Sequence, residues 1–307
     1  MAAAPSPATL PEPNPAPEPN PAMATALLAW AGAQARELPW RATRDPWAVL
    51  VSEMMLQQTQ VVRVIPRYHA FLDRFPDPRT CAAATPAEVL GLWSGLGYNR
   101  RALNLHTAAR AVTERYGGRL PDDLDALMAL PGVGPYTARA VLAFAYERPV
   151  GVVDTNAARV LARAVAGRSL GRSEVQRLAD ASVPAGQGWA YNQAVLDLGA
   201  TVCRVRRPDC DGCPVRLQCA WSITGFAAAD PALGTAGASG RQSRFAGSDR
   251  EGRGRVVAAL LAGPLSAGDI AGAAGWPDDP ARAERVVSGL VADGLAVVDD
   301  AGGLRLP

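Results

Sequence analysis

The chain has 307 residues, 49% of them hydrophobic and 20% charged, which is enough to bury the core of one large domain or two smaller ones. No apolar run reaches the roughly 18–20 residues of a membrane span, and the N-terminus lacks the pattern of a secretory signal. All 31 basic residues are arginine, against 29 acids. Because lysine is absent, no side chain can form a Schiff base with an aldehyde or sugar.

The first 22 residues hold eight prolines among Ala, Glu and Asn, which predicts a disordered or polyproline-like tail over 1–22. From about Met23 to Ala220 helical periods dominate and strand-like alternation is nearly absent, so we expect an all-α domain over 23–224. Residues 23–224 carry 23 Arg against 17 acids, a net charge of +6 that suits a polyanion. The clearest helical segments are Pro86–Leu92, Arg101–Arg115, Leu124–Leu130, Thr137–Glu147 and Thr155–Val165.

Glu53 lies in an apolar stretch, between Val49–Val51 and Met54–Leu56. Partial burial would raise the pKa of this carboxyl so that it can carry a proton. A solvated helix position is the alternative, since most helical Glu side chains face water.

Leu130-Pro131-Gly132-Val133-Gly134-Pro135-Tyr136-Thr137 joins two helical segments. Glycines two residues apart allow a tight turn, and the amides at the following helix N-terminus can hold a phosphate. This pattern is typical of the helix–hairpin–helix of proteins that follow a DNA backbone. An ordinary helix–helix turn is the alternative.

Asp154 comes just before the helix that contains Arg159 and Arg163. It is a natural N-cap. It could also serve as an anion that stabilises an oxocarbenium-like sugar, and capping would hold the carboxylate in place for that task. With Glu53 it would supply the acid and the anion that glycosidic cleavage needs.

Four of the five cysteines lie within 17 residues, in the spacing Cys203-x6-Cys210-x2-Cys213-x5-Cys219. Four thiolates suit a 4Fe–4S cluster or zinc, and the wide outer gaps favour the larger cluster. The fifth is Cys81, so thiols are sparse and we expect a reducing cytoplasm. The loop between the first two ligands carries three candidate phosphate contacts, Arg204, Arg206 and Arg207.

Residues 225–254 are rich in Gly, Ala and Ser and then basic, which predicts a linker with a polar tether to DNA or to its own domain. Residues 255–307 predict three short helices and a hairpin, a small winged-helix-like domain. Because residues 256–307 carry three Arg against seven acids, we expect a packing or partner-binding module rather than a reader of DNA. The predicted helices are Arg255–Leu261, Ser266–Ala273 and Ala281–Asp293, and the strands are Leu295–Val298 and Leu304–Leu306.

Six motifs in order resemble the helix–hairpin–helix DNA glycosylases with an iron–sulfur cluster, and most closely the MutY-type adenine DNA glycosylases. The resemblance covers roughly residues 24–225. It implies a helical barrel with a cluster domain, a 4Fe–4S cofactor and excision of adenine opposite 8-oxoguanine or guanine. The substrate would be duplex DNA in a bacterial nucleoid, bound by a monomer. The motifs are Leu38–Arg41, Ser52–Gln60, Gly95–Tyr98, Leu130–Thr137, Asp154-x-Asn156 and the four cysteines.

The resemblance also implies roles for single residues. Glu53 would protonate adenine N7, Asp154 would stabilise the oxocarbenium ion, and Asn156 would orient Asp154. Tyr136 stands where related bifunctional enzymes carry a lysine nucleophile, which implies a glycosylase without β-lyase activity. The adenine pocket would contain Trp40, Arg41 and Gln193, although Gln193 could equally be an ordinary helix residue; DNA would be contacted by Gln58, Tyr98, Gly132 and Gly134.

The chain also departs from the family pattern. Asn99 stands where a second Tyr is frequent, and Thr155 where Gly is frequent. The 83 residues of 225–307 are too few for a linker and the Nudix-like domain by which many members recognise 8-oxoguanine. Two alternatives are a thymine glycosylase acting on T·G pairs and a non-catalytic iron–sulfur DNA sensor.

Overall fold

A computed structural model describes residues 20–34, 36–238 and 244–307 of the protein. Most of the predicted tail over 1–22 lies outside these residues, and the first helix begins at Pro21. No helix in the described ranges is both long and apolar enough to cross a membrane. The helices before residue 225 are α1 (Pro21–Gln34), α2 (Pro46–Leu56), α3 (Val61–Arg74), α4 (Pro78–Ala83), α5 (Pro86–Trp93), α6 (Arg100–Tyr116), α7 (Leu124–Met128), α8 (Pro135–Phe144), α9 (Thr155–Val160), α10 (Arg172–Ser182), α11 (Gly188–Thr201) and α12 (Ala220–Ile223).

These helices confirm the all-α prediction, since the described part of residues 23–224 contains no strand. Local signals set several helix starts. Thr85 and Glu88 form a reciprocal capping box at α5, and Asp77 does the same with Thr80 at α4. The predicted helix Thr155–Val165 is only partly regular, because α9 gives way to a π-helical turn over Leu161–Ala166.

The C-terminal part contains α13 (Asp249–Ala262), α14 (Ile270–Ala274) and α15 (Pro280–Ala292), followed by strands β1 (Val297–Val298) and β2 (Leu304–Arg305). The strands pair antiparallel, with Val298 opposite Leu304. Three helices and a hairpin agree with the winged-helix-like pattern.

The structure differs from the predicted linker at both of its ends. Helix α13 begins at Asp249, six residues before the predicted domain start, and the acids Asp249 and Glu251 in its first turn favour a helix there. Nearer the cysteines, Asp230 forms an ion pair with the buried Arg163 at 2.5 Å. The first part of this segment is therefore fixed to the helical domain. Arg250 and Arg253 belong to α13 rather than to a tether.

Two buried clusters position the functional residues. The larger one is formed by α2 to α8 and continues into the C-terminal module through Val256, Val257 and Leu260. A smaller cluster joins α1, α9 and α11 and reaches Cys203, Cys213 and Cys219. Helices α2, α8, α9 and α11 meet between the clusters, since α2 packs on α8 and α11 packs on both α8 and α9.

Candidate active site

Glu53 lies in the third turn of α2, which Asp45 caps by accepting a hydrogen bond from the Ala48 amide at 2.7 Å. Its side chain is buried, with only 5% of the residue exposed. Burial raises the pKa of the Glu53 carboxyl to about 7. A hydrogen bond from Tyr136 and the charge of Arg41 oppose this, while the charge of Asp154 adds to it. Glu53 is thus buried rather than solvated, and its raised pKa allows the carboxyl to hold a proton near neutral pH.

Tyr136 is the second residue of α8, the helix that follows the glycine turn. Burial, together with the nearby charges of Glu53 and Asp154, raises the pKa of its hydroxyl well above the ordinary value. The hydroxyl therefore stays protonated and donates to Glu53. A second contact joins the end of α2 to α8, since the side-chain amide of Gln57, the residue after α2, donates to the Thr137 hydroxyl at 3.2 Å.

Asp154 is the N-cap of α9, as its place in the sequence predicts. One carboxylate oxygen accepts from the amides of Asn156 and Ala157, each at 2.7 Å, and the other accepts from the Asn156 side chain at 2.8 Å. Burial raises the pKa of Asp154, and the hydrogen bonds from Ala157 and Asn156 and the charge of Arg159 oppose that rise. The capping geometry therefore holds the carboxylate in one orientation, which is compatible with the predicted anionic role.

Arg159 holds Asn156 in place, a role that the sequence did not indicate. Its guanidinium donates to the Asn156 side-chain oxygen, the Gly199 carbonyl and the Cys203 carbonyl, each at 2.7 Å. This chain of hydrogen bonds runs from the first cysteine of the loop to Asp154. The only available signal was the position of Arg159 on the inner, apolar face of α9, four residues after Thr155.

The three residues predicted for the base pocket lie on two elements. Trp40 and Arg41 belong to the single turn Pro39–Arg41, and Gln193 lies on α11. All three are largely buried; Gln193 is 9% exposed, so it is a core-edge helix residue. Sequence reasoning missed Asp197, one turn after Gln193, which accepts from both terminal nitrogens of Arg41 at 2.7 and 2.9 Å. This pair fixes Arg41 where its charge acts on Glu53.

Gln58 and Tyr98 lie on two neighbouring loops that border one cavity. Both residues have a left-handed backbone conformation, with φ of 56° and 48°, which residues other than glycine seldom adopt. Arg101, whose role the sequence did not indicate, connects the two loops through hydrogen bonds. It donates to the carbonyl groups of Met54 and Gln57 at 2.7 Å each and of Gly97 at 2.9 Å. The buried guanidinium satisfies the C-terminal carbonyls of α2 and holds the two loops together.

The glycine turn has the predicted form, with α7 before it and α8 after it. Gly132 has a φ of 75°, and a side chain there would come within 2.6 Å of Asn104 on α6. Gly134 is the N-cap of α8, with Pro135 in the first turn. Gly132 is exposed and Gly134 is partly exposed, so this turn lies at the surface of the protein.

The four cysteines line a common cavity with Arg163 and Trp221. Within the described ranges, no three His, Cys, Asp or Glu side chains are arranged to hold a single metal ion. Burial raises the pKa of Cys213 to about 11. The Arg163 guanidinium lies 3.5 Å from the Cys203 sulfur and donates to the Arg204 carbonyl at 2.8 Å. The predicted phosphate contacts Arg204, Arg206 and Arg207 are exposed on the same loop.

Comparisons with known proteins agree with this arrangement. Residues 51–184 match the HhH-GPD superfamily of base excision DNA repair proteins. The chain is 41% identical to the adenine DNA glycosylase of Mycolicibacterium smegmatis, over 88% of this chain and 90% of that protein. It is also 41% identical to the adenine DNA glycosylase of Mycobacterium tuberculosis, over 92% and 93%. A thermostable thymine-DNA glycosylase of known structure superimposes with a TM-score of 0.61 at 30% identity, over 66% of this chain and 96% of that one. The chain therefore belongs to the adenine DNA glycosylase family of HhH-GPD base excision repair proteins.

Proposed function

We propose that the protein hydrolyses the N-glycosidic bond of adenine mispaired with 8-oxoguanine or guanine in duplex DNA. The observation that carries the proposal is the group formed by the buried Glu53 and the partly buried Tyr136 and Asp154, in which the pKa of Glu53 is raised to about 7. A proton donor and a held anion side by side are what departure of a base from its sugar requires.

In the proposed reaction the adenine leaves the stack and enters the space beside Trp40, Arg41 and Gln193. Glu53 gives its proton to N7, which turns the base into a better leaving group. Asp154 stabilises the positive charge that develops on the sugar as the bond breaks. Glu53, now ionised, then accepts a proton from the attacking water.

Gln58 and Tyr98 would fill the gap that the flipped base leaves, because a planar amide and an aromatic ring can replace stacking. The amides around Gly132 and Gly134, with Arg204, Arg206 and Arg207, would hold the phosphates on either side. These contacts position the duplex and carry little sequence information. Acting on chromosomal DNA, the enzyme would work in the bacterial cytoplasm, as a monomer.

Tyr136 and the lysine-free composition support a glycosylase that leaves an abasic site without cutting the strand. The four cysteines that line one cavity support a 4Fe–4S cluster held by Cys203, Cys210, Cys213 and Cys219. The cluster would fix the loop and present its arginines; base hydrolysis requires no electron transfer.

Single-turnover cleavage of duplexes that contain A·8-oxoguanine, A·G or T·G tests the proposal. We expect excision of adenine from the first two, with strand breaks only after alkali. Breaks before alkali would contradict the monofunctional assignment. Removal of thymine but not adenine would transfer the assignment to a thymine glycosylase.

A further inference from the structure

Helix α11 carries a buried carboxylate, Asp197, that forms ion pairs with two arginines from the start of the chain. Asp197 is 3% exposed, and its partners Arg36 and Arg41 lie 161 and 156 residues earlier in the sequence. Arg36 follows α1, and Arg41 is the last residue of the turn Pro39–Arg41. The three side chains therefore connect the segment between α1 and α2 with the helix that carries Gln193.

Both carboxylate oxygens of Asp197 take part in these contacts. Arg41 donates from Nη1 to Oδ2 at 2.7 Å and from Nη2 to Oδ1 at 2.9 Å. Arg36 donates from Nε to Oδ1 at 2.6 Å. A planar guanidinium that is bound by two hydrogen bonds to one carboxylate has a fixed orientation. Asp197 therefore sets the position of the positive charge of Arg41.

The two arginines differ in their access to solvent. The side chain of Arg41 is 8% exposed, whereas that of Arg36 is 40% exposed. Burial raises the pKa of Asp197, but the hydrogen bonds and charges of Arg41 and Arg36 outweigh burial and hold that pKa below its ordinary value. Asp197 is therefore ionised at neutral pH. A buried guanidinium that lost this partner would keep an uncompensated charge inside the protein.

The charge of Arg41 reaches the proposed proton donor. Burial raises the pKa of Glu53 to about 7, the charge of Asp154 adds to the rise, and the hydrogen bond of Tyr136 and the charge of Arg41 oppose it. Within the described residues these are the charged or titratable groups that face Glu53, from α8, from the start of α9 and from the turn before α2. A stronger field from Arg41 would leave Glu53 without its proton at a lower pH.

We propose that Asp197 is a positioning residue for base excision, which fixes Arg41 beside Glu53 and offsets part of its charge. Arg36 secures Asp197 from the solvent side. The inference rests on the proposed function, since it uses the roles given there to Arg41 and Glu53. Arg41 contributes a held positive charge to the base pocket, because both terminal nitrogens of its guanidinium are bound to Asp197. Asp197 acts on the reaction only through Arg41.

The test compares the full-length wild type with Asp197→Asn, with Arg41→Gln and with the double variant. Glu174→Gln is the matched control, because Glu174 also pairs with an arginine, Arg168 at 2.5 Å, but is not among the groups that act on Glu53. Single-turnover excision of adenine opposite 8-oxoguanine is measured between pH 5 and pH 9. Binding to a duplex with an uncleavable 2′-fluoro-adenosine is followed over the same range, and thermal melting verifies that each variant is folded.

Asp197→Asn should move the midpoint of the alkaline decline in rate to lower pH by about 0.5–1 unit, because Arg41 loses the carboxylate that offsets its charge. On the alkaline side of the midpoint the rate should therefore fall by about 3- to 10-fold, with duplex affinity within about twofold of wild type. In the Arg41→Gln background, Asp197→Asn should not move the midpoint, since the residue through which it acts is gone. Glu174→Gln should keep the wild-type midpoint.

Arg36→Gln tests the sign of the effect. It removes a cation from the other side of Asp197, so more of the negative charge of Asp197 acts on Arg41 and Glu53. The midpoint should then move to higher pH. Because Arg36 is 40% exposed, solvent screens part of this change and the shift should be less than about 0.5 unit. A general loosening of the site would instead move the midpoint of Arg36→Gln in the same direction as that of Asp197→Asn.

The proposal is overturned if Asp197→Asn keeps the midpoint of Glu174→Gln, or if it shifts the midpoint equally with and without Arg41. A shift of Asp197→Asn and Arg36→Gln in the same direction also overturns it. The ionisation of Glu53 is followed without DNA as well, by carbon NMR of protein labelled with ¹³C-glutamate, and Glu53→Gln identifies the signal. If the wild type does not excise adenine, the proposed function fails, and the NMR titration of these variants still tests the role of Asp197.

Discussion

Arg159 donates to the Asn156 side-chain oxygen at 2.7 Å, and the Asn156 amide in turn donates to Asp154 at 2.8 Å. The same nitrogen of Arg159 also donates to the Gly199 carbonyl of α11, and its other two nitrogens donate to backbone carbonyls of α9 and of the cysteine loop. The orientation of the proposed anion is therefore set by a guanidinium that is itself anchored to the loop of the four cysteines. Arg159 is a positioning residue in this arrangement, since it acts on Asp154 only through Asn156.

Arg159→Lys should lower the single-turnover excision rate by about 10- to 100-fold, because a lysine cannot hold Asn156 and the two distant carbonyls at once. The affinity for an uncleavable duplex should stay within about twofold of wild type. Arg172→Lys, an exposed arginine at the start of α10, serves as the control and should change neither quantity. An unchanged excision rate in folded Arg159→Lys would show that Asn156 needs no such support.

A substitution at Gly199, which packs against Asn156, tests the same arrangement of Asn156 and Asp154. Gly199 lies on α11, where an added Cβ would come within 2.6 Å of the Asn156 Cβ and 2.9 Å of its carbonyl oxygen. Gly199→Ala should reduce the free energy of unfolding by about 1–3 kcal/mol and slow excision, because α9 must shift. Gly32→Ala, in a helix where nothing lies within 4 Å, should instead raise stability by about 0.5–1 kcal/mol. Urea unfolding of both variants measures the difference; equal effects would exclude crowding at Asn156.

Much of the fold and of the candidate site could be predicted from sequence. Glu53 inside an apolar stretch, Asp154 at a helix start and the glycine pair before Tyr136 are local patterns, and local patterns survive folding. The functional residues that the sequence did not predict are those whose roles depend on tertiary contacts. Arg101, Arg159 and Asp197 look like ordinary helix residues, but each has a hydrogen-bond partner between 44 and 156 residues away in the chain.

The boundary of the C-terminal module was misplaced for a related reason. Gly252 and Gly254 weaken the helical pattern in the sequence, which therefore predicts a helix only from Arg255 onward. In the structure Gly252 is required by packing, since a Cβ there would approach the Trp276 ring within 2.1 Å. Close packing with a distant residue thus outweighs the low helix propensity of glycine. As a result α13 begins at Asp249 and includes Arg250.

Excision should depend on pH through Glu53, whose carboxyl must carry a proton to deliver it. With a pKa of about 7, the protonated fraction is high below that pH and falls about tenfold per unit above it. The single-turnover rate should therefore decline as pH rises from 7 to 9. Binding of an uncleavable duplex, followed over the same range, separates this effect from DNA affinity. A rate that stays constant between pH 6 and 9 would contradict the acid role of Glu53.

Asp154→Asn should abolish excision and leave the protein folded. Asparagine is as good an N-cap as aspartate, so the free energy of unfolding should change by no more than about 1 kcal/mol. The neutral amide cannot stabilise a cationic sugar, so the rate should fall by at least about 1,000-fold. Duplex affinity is the second measurement and should persist. Full activity in this variant would remove Asp154 from the mechanism.

The buried carboxyl of Glu53 should also cost stability. Its pKa is about 7 in the folded protein against 4.5 for an ordinary glutamate, so between these values the folded state keeps a proton that the unfolded state has lost. Stability from this group is therefore fully present below about pH 4.5 and is lost as pH rises to about 7, a loss of about 3 kcal/mol at about 1.4 kcal/mol per unit. Glu53→Gln, which cannot ionise, should be inactive and should escape this loss. Urea unfolding at pH 4.5 and pH 8 should show the variant gaining about 3 kcal/mol relative to wild type between the two conditions. If the difference in free energy of unfolding between Glu53→Gln and wild type does not change with pH, Glu53 ionises normally in the folded protein.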